Sequence, residues 1–252
     1  VSINPGWSVA AALGALLAIT LLVHRIANYQ LGWTALIAMA RALAQLTVVA
    51  LLIKVVINNL GLSFGFVVLM FVMATLTTSR RTEAPGAWAW SGLAVAAGVV
   101  PALSVILVSG AVPMTGIAII PIAGILIGNA MTANTLIGRR AFPVLREEHR
   151  LYEAALALGM SPADGIEQIV HRRAPEALLP GLDQVTTTGV VTLPGAFIGV
   201  MLGGGTPVQA ATAQALVLFG IMAAQTLTVL TAERLITSRR LLPVDLHTAL
   251  ID

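Results

Sequence analysis

The sequence predicts an all-α, polytopic integral membrane protein with about seven transmembrane helices and its N-terminus outside. Three observations predict this. Of 252 residues, 58% are hydrophobic and only 10% are charged, where soluble domains carry about 25% charged residues. Seven apolar stretches are each long enough to cross about 30 Å of hydrocarbon as a helix. The alternation of apolar and polar residues that marks a membrane β-strand is missing. Little chain is left over for a soluble module, so residues 1–252 are expected to form a single transmembrane domain.

The first stretch, Trp7–Val23, lacks the basic start and cleavage site of a signal peptide and reads as a true span. The second, Trp33–Ile57, contains two cations, Arg41 and Lys54. The third is Leu62–Thr78 and the fourth Trp88–Ser109. Trp7, Trp33 and Trp88 fall at span ends, where an amphipathic ring suits the headgroup region. The fifth span is Ile117–Ile137, the sixth Ala177–Leu202 and the seventh Val208–Leu235. Pro101, Pro121 and Pro194 would kink or interrupt their helices. Gly124 and Gly128, and then Gly195, Gly199 and Gly203, have the spacing that lets helix backbones approach closely. That spacing serves packing within one bundle or a seam between two copies.

Orientation follows from the cations. Arg25, Arg80, Arg81, Arg139, Arg140, Arg146, Arg150, Arg172, Arg173, Arg234, Arg239 and Arg240 make up 12 of the 14 Lys+Arg. All lie in the loops after spans 1, 3 and 5 or near the C-terminus, whereas the alternate loops have none. Positive charge stays cytoplasmic, which puts the N-terminus outside and the C-terminus inside, in a cell (inner) membrane.

Composition excludes several functions. There is no cysteine, hence no disulfide or thiolate metal site. The single lysine, Lys54, is not in a GK[ST] phosphate loop, so the chain does not bind ATP by that route. Arginines interleaved with aromatics are absent, which argues against nucleic acid. His24, His149, His171 and His247 all fall outside the predicted spans, and no HExxH or GxSxG occurs. The chain is therefore expected to be non-catalytic.

One cytoplasmic stretch, 139–175, is long and holds five of the 11 acids. Leu151, Ala154, Ala155 and Leu158 have helical spacing within Arg146–Leu158. Gly159 supplies a stop, Ser161 an N-cap, Pro162 a first position and Asp164 a first-turn acid. The expected product is a helix–turn–helix between spans 5 and 6, presenting Leu151, Leu156, Leu158 and Met160 to a docking partner.

Glu153-Ala154-Ala155-Leu156-Ala157-Leu158-Gly159 matches the EAAxxxG signature of bacterial ABC-transporter permeases. Ile169 stands ten residues after Gly159, where that loop carries its isoleucine, but His171 and Arg172 occupy the place of the following Leu-Pro. The chain more closely resembles the FetB-type permease family of bacterial iron-export permeases and plant aluminium-tolerance half-transporter proteins. Ile120–Met131, Leu156–Asp164 and Leu193–Ala196 carry that likeness. The resemblance implies a homodimeric permease in membrane lipid, paired with a separate cytosolic ABC ATPase that binds the ATP and Mg. Glu153, Ala154, Ala155, Leu158, Gly159, Met160 and Ser161 would couple the two. It also implies export of iron or another metal, or transport of a polar organic substrate such as a nucleotide sugar. A secondary transporter or channel without an ATPase is the alternative outside this family.

Charges inside spans are costly and mark either function or a pair. Arg41 and Asp183 sit at similar depth and could pair, or could form a gate or substrate contact; Gln45 shares the Arg41 face. Asn129, Asn134, Thr187, Gln214 and Gln225 are candidates either to line a pathway or to join helices. Met131 and Met201 could offer thioether sulfur to a soft ion or simply pack. No set of ligands for a dedicated metal site is evident.

Overall fold

Residues 6–250 are described in a computed structural model, in which every regular element is a helix. Two compact units arise, Val1–Val56 and Ile57–Asp252.

The first unit is a hairpin of α1 (Trp7–Ile26) and α2 (Gly32–Val56). Asn28 and Gln30 take positive φ in the turn, and the Tyr29 amide donates to the His24 carbonyl. No residue of either helix is buried, as suits elements whose solvent is lipid rather than a protein core. Thr20 and Thr47 satisfy their hydroxyls on the carbonyls four residues earlier.

The second unit begins with α3 (Leu60–Arg81), capped by the Asn59 side chain accepting from the Leu62 amide. Next come α4 (Trp88–Val108), α5 (Gly116–Glu147), α6 (His149–Ala157) and α7 (Pro162–Val170). A 3-10 turn at Ala174–Leu178 leads into α8 (Leu179–Thr187), followed by α9 (Gly195–Leu202), α10 (Pro207–Thr237) and α11 (Val244–Ala249). The start of α10 is a capping box: Thr206 accepts from the Gln209 amide while the Gln209 side chain accepts from the Thr206 amide.

Helices α3, α4, α5 and α10 bury Val95, Val99, Ile106, Leu126, Ile127 and Ile221 between them. Small residues set the spacing. A Cβ on Gly98 would collide with the Ala224 carbonyl and the Thr228 hydroxyl, so α4 and α10 meet backbone to backbone there. Gly124 abuts the Met70 methyl, whereas Gly128, Gly195 and Gly199 have open space. A second cluster joins α5, α7 and α10 to the C-terminal segment through Ile137, Leu145, Tyr152, Ile166, Ile169, Ile236, Leu246 and Leu250.

Among the described residues six helices are long and apolar enough to cross a membrane, α1 to α5 and α10. The expected sixth span, 177–202, is not one helix. It breaks after Thr187, where Thr188 is extended, Gly189 has φ +90° and the Gly189 amide donates to the Thr192 carbonyl. Pro194 then caps α9 instead of kinking a continuous helix. Thr186, Thr187 and Thr188 all bond back to Asp183 or Gln184 carbonyls, and four of the next five residues are β-branched or glycine. At 1.5 Å per residue neither α8 nor α9 reaches even half of about 30 Å.

Span 5 differs in the other direction. Its helix continues through Arg139 and Arg140 to Glu147, so the expected helix from Arg146 to Leu158 is split at Glu148.

Candidate functional site

Two features of the second unit are candidates: the α6–α7 hairpin and a cavity among the long helices.

The hairpin is built by local rules. Helix α6 closes with the Leu158 amide on the Ala154 carbonyl and the Met160 amide on the Ala155 carbonyl. That closure puts Gly159 at φ +86°, where an L side chain is strained. Ser161 then accepts from the Asp164 amide and donates to the Asp164 carboxylate at 2.6 Å, and Pro162 opens α7. Tyr152 and Ala155 turn inward against Gly165, whose missing Cβ lets the ring close on α7. Glu153, Ala154, Gly159 and Ser161 are exposed, and Met160 is half-buried. Leu151 is exposed, and Leu158 is 84% exposed, an apolar surface at the tip of the hairpin. Of the residues expected to face a partner, Leu156 is instead half-buried against the hairpin's core cluster.

Ion pairs tie the hairpin down. Arg172 meets Glu148 at 3.1 Å, and Glu176 accepts from Arg173 at 3.0 Å and lies 3.5 Å from Arg140. His149 is 3.4 Å from Glu153. At the end of α7, His171 Nδ1 lies 2.7 Å from Glu233 Oε1 of α10. That carboxylate raises the His171 pKa by accepting its hydrogen bond and by its charge, with Glu167 adding to the effect.

The C-terminal segment is a further restraint that the sequence reading did not anticipate. Leu246 and Leu250 are fully buried in the hairpin's core cluster. The Leu250 carbonyl accepts from Tyr152 Oη at 3.3 Å and from Arg239 Nη1 at 2.7 Å, and His149 Nε2 donates to the Ala249 carbonyl at 3.1 Å. The only sequence signal was a second apolar pair, Leu246 and Leu250, at helical spacing near the C-terminus.

The cavity measures about 1150 Å³ and lies between α5, α8, α9 and α10, near the end of α4. Its walls are mostly aliphatic: Ile117, Ile122, Ile125, Val200, Val217 and Ile221, with Gly195 and Gly199 contributing bare backbone. Its polar groups are the side chains of Asn129, Gln184, Gln209, Thr212 and Gln214. Among the described residues no charged side chain lines it.

The expected pathway residues divide. Asn129 and Gln214 line the cavity. Gln225 donates to Asn129 Oδ1 at 3.4 Å and fills the space left by Gly181. Asn134 is buried elsewhere, donating to Thr78 Oγ1 at 3.0 Å, while Thr78 and Thr135 share a hydrogen bond of 2.9 Å; this network joins α3 to α5. Met131 is half-buried against the core, and Thr187 donates to the Asp183 carbonyl at 2.8 Å. Gln45 and Arg41 are exposed on α2, and Asp183 is exposed on α8. Gln184 and Gln209 were not singled out from the sequence as cavity residues. Among the described residues no three His, Cys, Asp or Glu side chains gather as a metal ion would require.

Residues 7–241 match the model of the uncharacterised protein family UPF0014. Protein ALUMINUM SENSITIVE 3 of Arabidopsis thaliana is 30% identical over 211 residues, 82% of this chain and 77% of that one. UPF0014 membrane protein STAR2 of Oryza sativa subsp. japonica is 29% identical, covering 76% of this chain and 68% of the relative. The probable iron export permease protein FetB of Escherichia coli (strain K12) is also 29% identical, over 77% of this chain and 76% of its own. No solved structure matches the chain at a significant level.

Proposed function

The chain belongs to the UPF0014 family, and on that premise we propose that it is the membrane-spanning permease subunit of an ABC exporter, driven by a separate cytosolic ATPase. The observation that carries this reading is the α6–α7 hairpin. It bears EAAxxxG residues on a rigid, multiply tethered element and leaves Leu158 uncovered at its tip. An ATPase dimer that docks there needs two such elements, so the assembly holds two copies of this chain. ATP and Mg belong to the partner.

Iron or another metal is the cargo suggested by the name of the bacterial relative. The cavity favours a solvated or chelated form over a bare ion. A hard divalent cation seeks several charged oxygen ligands, and the cavity offers amides and a hydroxyl among aliphatic walls. The same lining supports a second reading, a polar organic cargo such as a nucleotide sugar.

Co-purification with a lone ABC ATPase, followed by ATP hydrolysis assays in lipid nanodiscs, tests the assignment. The expected result is hydrolysis stimulated by the chain, with stimulation lost in Leu158→Asp. Because Leu158 is 84% exposed, that variant should change stability by only about 0.5 kcal/mol. Cells lacking the chain should accumulate iron. Cargo movement without any ATPase would overturn the reading in favour of a secondary carrier.

A further inference from the structure

Adjacency in sequence suggests that the hairpin moves the spans on either side of it, α5 and the stretch after Pro175. The second of these is poorly suited to the task. It is a 3-10 turn, a nine-residue helix, a turn with Gly189 at φ +90° and then an eight-residue helix. Each joint can absorb a push by bending.

Helix α10 has no such joint. It runs unbroken for 31 residues, Pro207–Thr237, roughly 45 Å at 1.5 Å per residue. Its cytoplasmic end packs on α7: Ile166, Ile169 and Val170 are at most 1% exposed and share a core cluster with Ala232, Leu235 and Ile236. Its other half supplies Thr212, Gln214, Val217 and Ile221 to the cavity wall. Apolar packing alone permits sliding, because it has no direction. The one polar tie between α7 and α10 among the hydrogen bonds described is His171 to Glu233, at 2.7 Å. The Glu233 side chain is only 12% exposed, while that of His171 is 72% exposed. A carboxylate so desolvated holds its partner firmly, because losing the partner leaves a buried charge uncompensated.

We infer that His171 and Glu233 are positioning residues that lock α7 to α10, so that displacement of the hairpin turns or shifts α10 and reshapes the cavity. The inference rests on the permease reading above and deepens it by naming the route from docking site to cargo site. One of the two, His171, stands where this chain departs from the importer pattern, at one of the Leu-Pro positions.

The experiment uses the full chain with its ATPase in nanodiscs. The chain has no cysteine, so Ala213→Cys gives a single cavity-lining thiol whose maleimide labelling rate reports the cavity's state. In that background the labelling rate should differ between nucleotide-free and vanadate-trapped complexes. His171→Ala and Glu233→Gln should each shrink that difference about fivefold or more, while the ATPase stays bound and hydrolyses ATP. His171→Asn, whose amide can donate from a similar position, should retain the difference.

The pH profile separates a transmitting role from a merely structural one. Glu233 on α10 and Glu167 on α7 are the charged groups that act on His171, and both favour its imidazolium. The ionic tie is therefore complete below the ordinary histidine value of 6.5 and weakens as pH rises through the raised one. The labelling difference should decline over that range with histidine present and stay flat in His171→Asn. An undiminished difference in both His171→Ala and Glu233→Gln, or identical pH profiles with His and Asn, would overturn the lock. Absence of any nucleotide response in the Ala213→Cys parent would instead overturn the permease reading, and the lock with it.

Discussion

Arg146, near the end of α5, grips Asp245 of α11 with both arms: Nε donates to one carboxylate oxygen at 2.7 Å and Nη2 to the other at 3.2 Å. The two residues are 99 positions apart. A two-point contact of this kind fixes direction as well as distance, so the C-terminal segment is oriented against the helix that leads into the hairpin.

Loosening that grip should free the segment. The Arg146 hydrogen bond, helped by its charge, holds the Asp245 carboxyl below its ordinary value of 3.8. A lowered carboxylate stabilises above its unfolded pKa and loses that contribution as pH falls through the folded one. Trypsin cleavage after Arg239 or Arg240 should be slow at neutral pH and faster in Asp245→Asn. A variant cleaved no faster than the parent would show that the buried Leu246 and Leu250 and the hydrogen bonds on the Ala249 and Leu250 carbonyls retain the segment without that grip.

Gly159 tests the turn itself. At φ +86° a β-branched side chain is strained, at a cost of about 1–3 kcal/mol, although nothing crowds the position. Gly159→Val should leave the membrane helices intact by circular dichroism and abolish stimulation of the ATPase. Gly159→Asn, which tolerates the left-handed region better, should keep most of it. Equal loss in both would point to direct contact at Gly159 rather than to backbone geometry.

Gly98 tests the α4–α10 approach. Gly98→Ala places a methyl against the Ala224 carbonyl, and overpacking of this kind costs about 1–3 kcal/mol. Thermal aggregation measured by size exclusion should shift to lower temperature. Gly14→Ala on α1 has open space around it and should be neutral or stabilising, by up to about 1 kcal/mol from helix propensity.

Orientation is testable with the same cysteine-free background. Val208 is 75% exposed at the start of α10, a better reporter than Gly204, whose φ of +88° would strain a cysteine. A membrane-impermeant maleimide added to intact cells should label Val208→Cys and spare Ser161→Cys. The reverse pattern would invert the topology.

The legible parts of this molecule are those governed by short-range physics. Six long helices follow from stretches of apolar residues, and the hairpin from a stop glycine, a serine cap and a proline within four residues of chain. The break in 177–202 was written in Gly189 and Pro194, but an average over hydrophobicity hides it, because Val190, Val191 and Leu193 are as apolar as any span. The cavity was half legible. Asn134 and Gln214 are alike as polar residues in spans, and only a partner on another helix, Thr78, makes one a helix joint. The ties between the hairpin and α10 were not legible at all, since His171 and Glu233 are 62 residues apart and meet only once the helices pack.

The interrupted helix has a consequence for the bilayer itself. Val190 is 91% exposed and Val191 74%, so the side chains at the break are acceptable to lipid tails. The backbone beside them is held only by turn bonds, the Gly189 amide on the Thr192 carbonyl and the Val191 and Thr192 amides on the Thr187 carbonyl, and hydrocarbon offers it no other partner. Greasy side chains and a backbone held by turn bonds therefore share one stretch of chain. Such a segment suits a boundary, with tails on one side and water or another polypeptide on the other. Its amides should exchange with deuterium far faster than those of α10, whose hydrogen bonds lie within one unbroken helix.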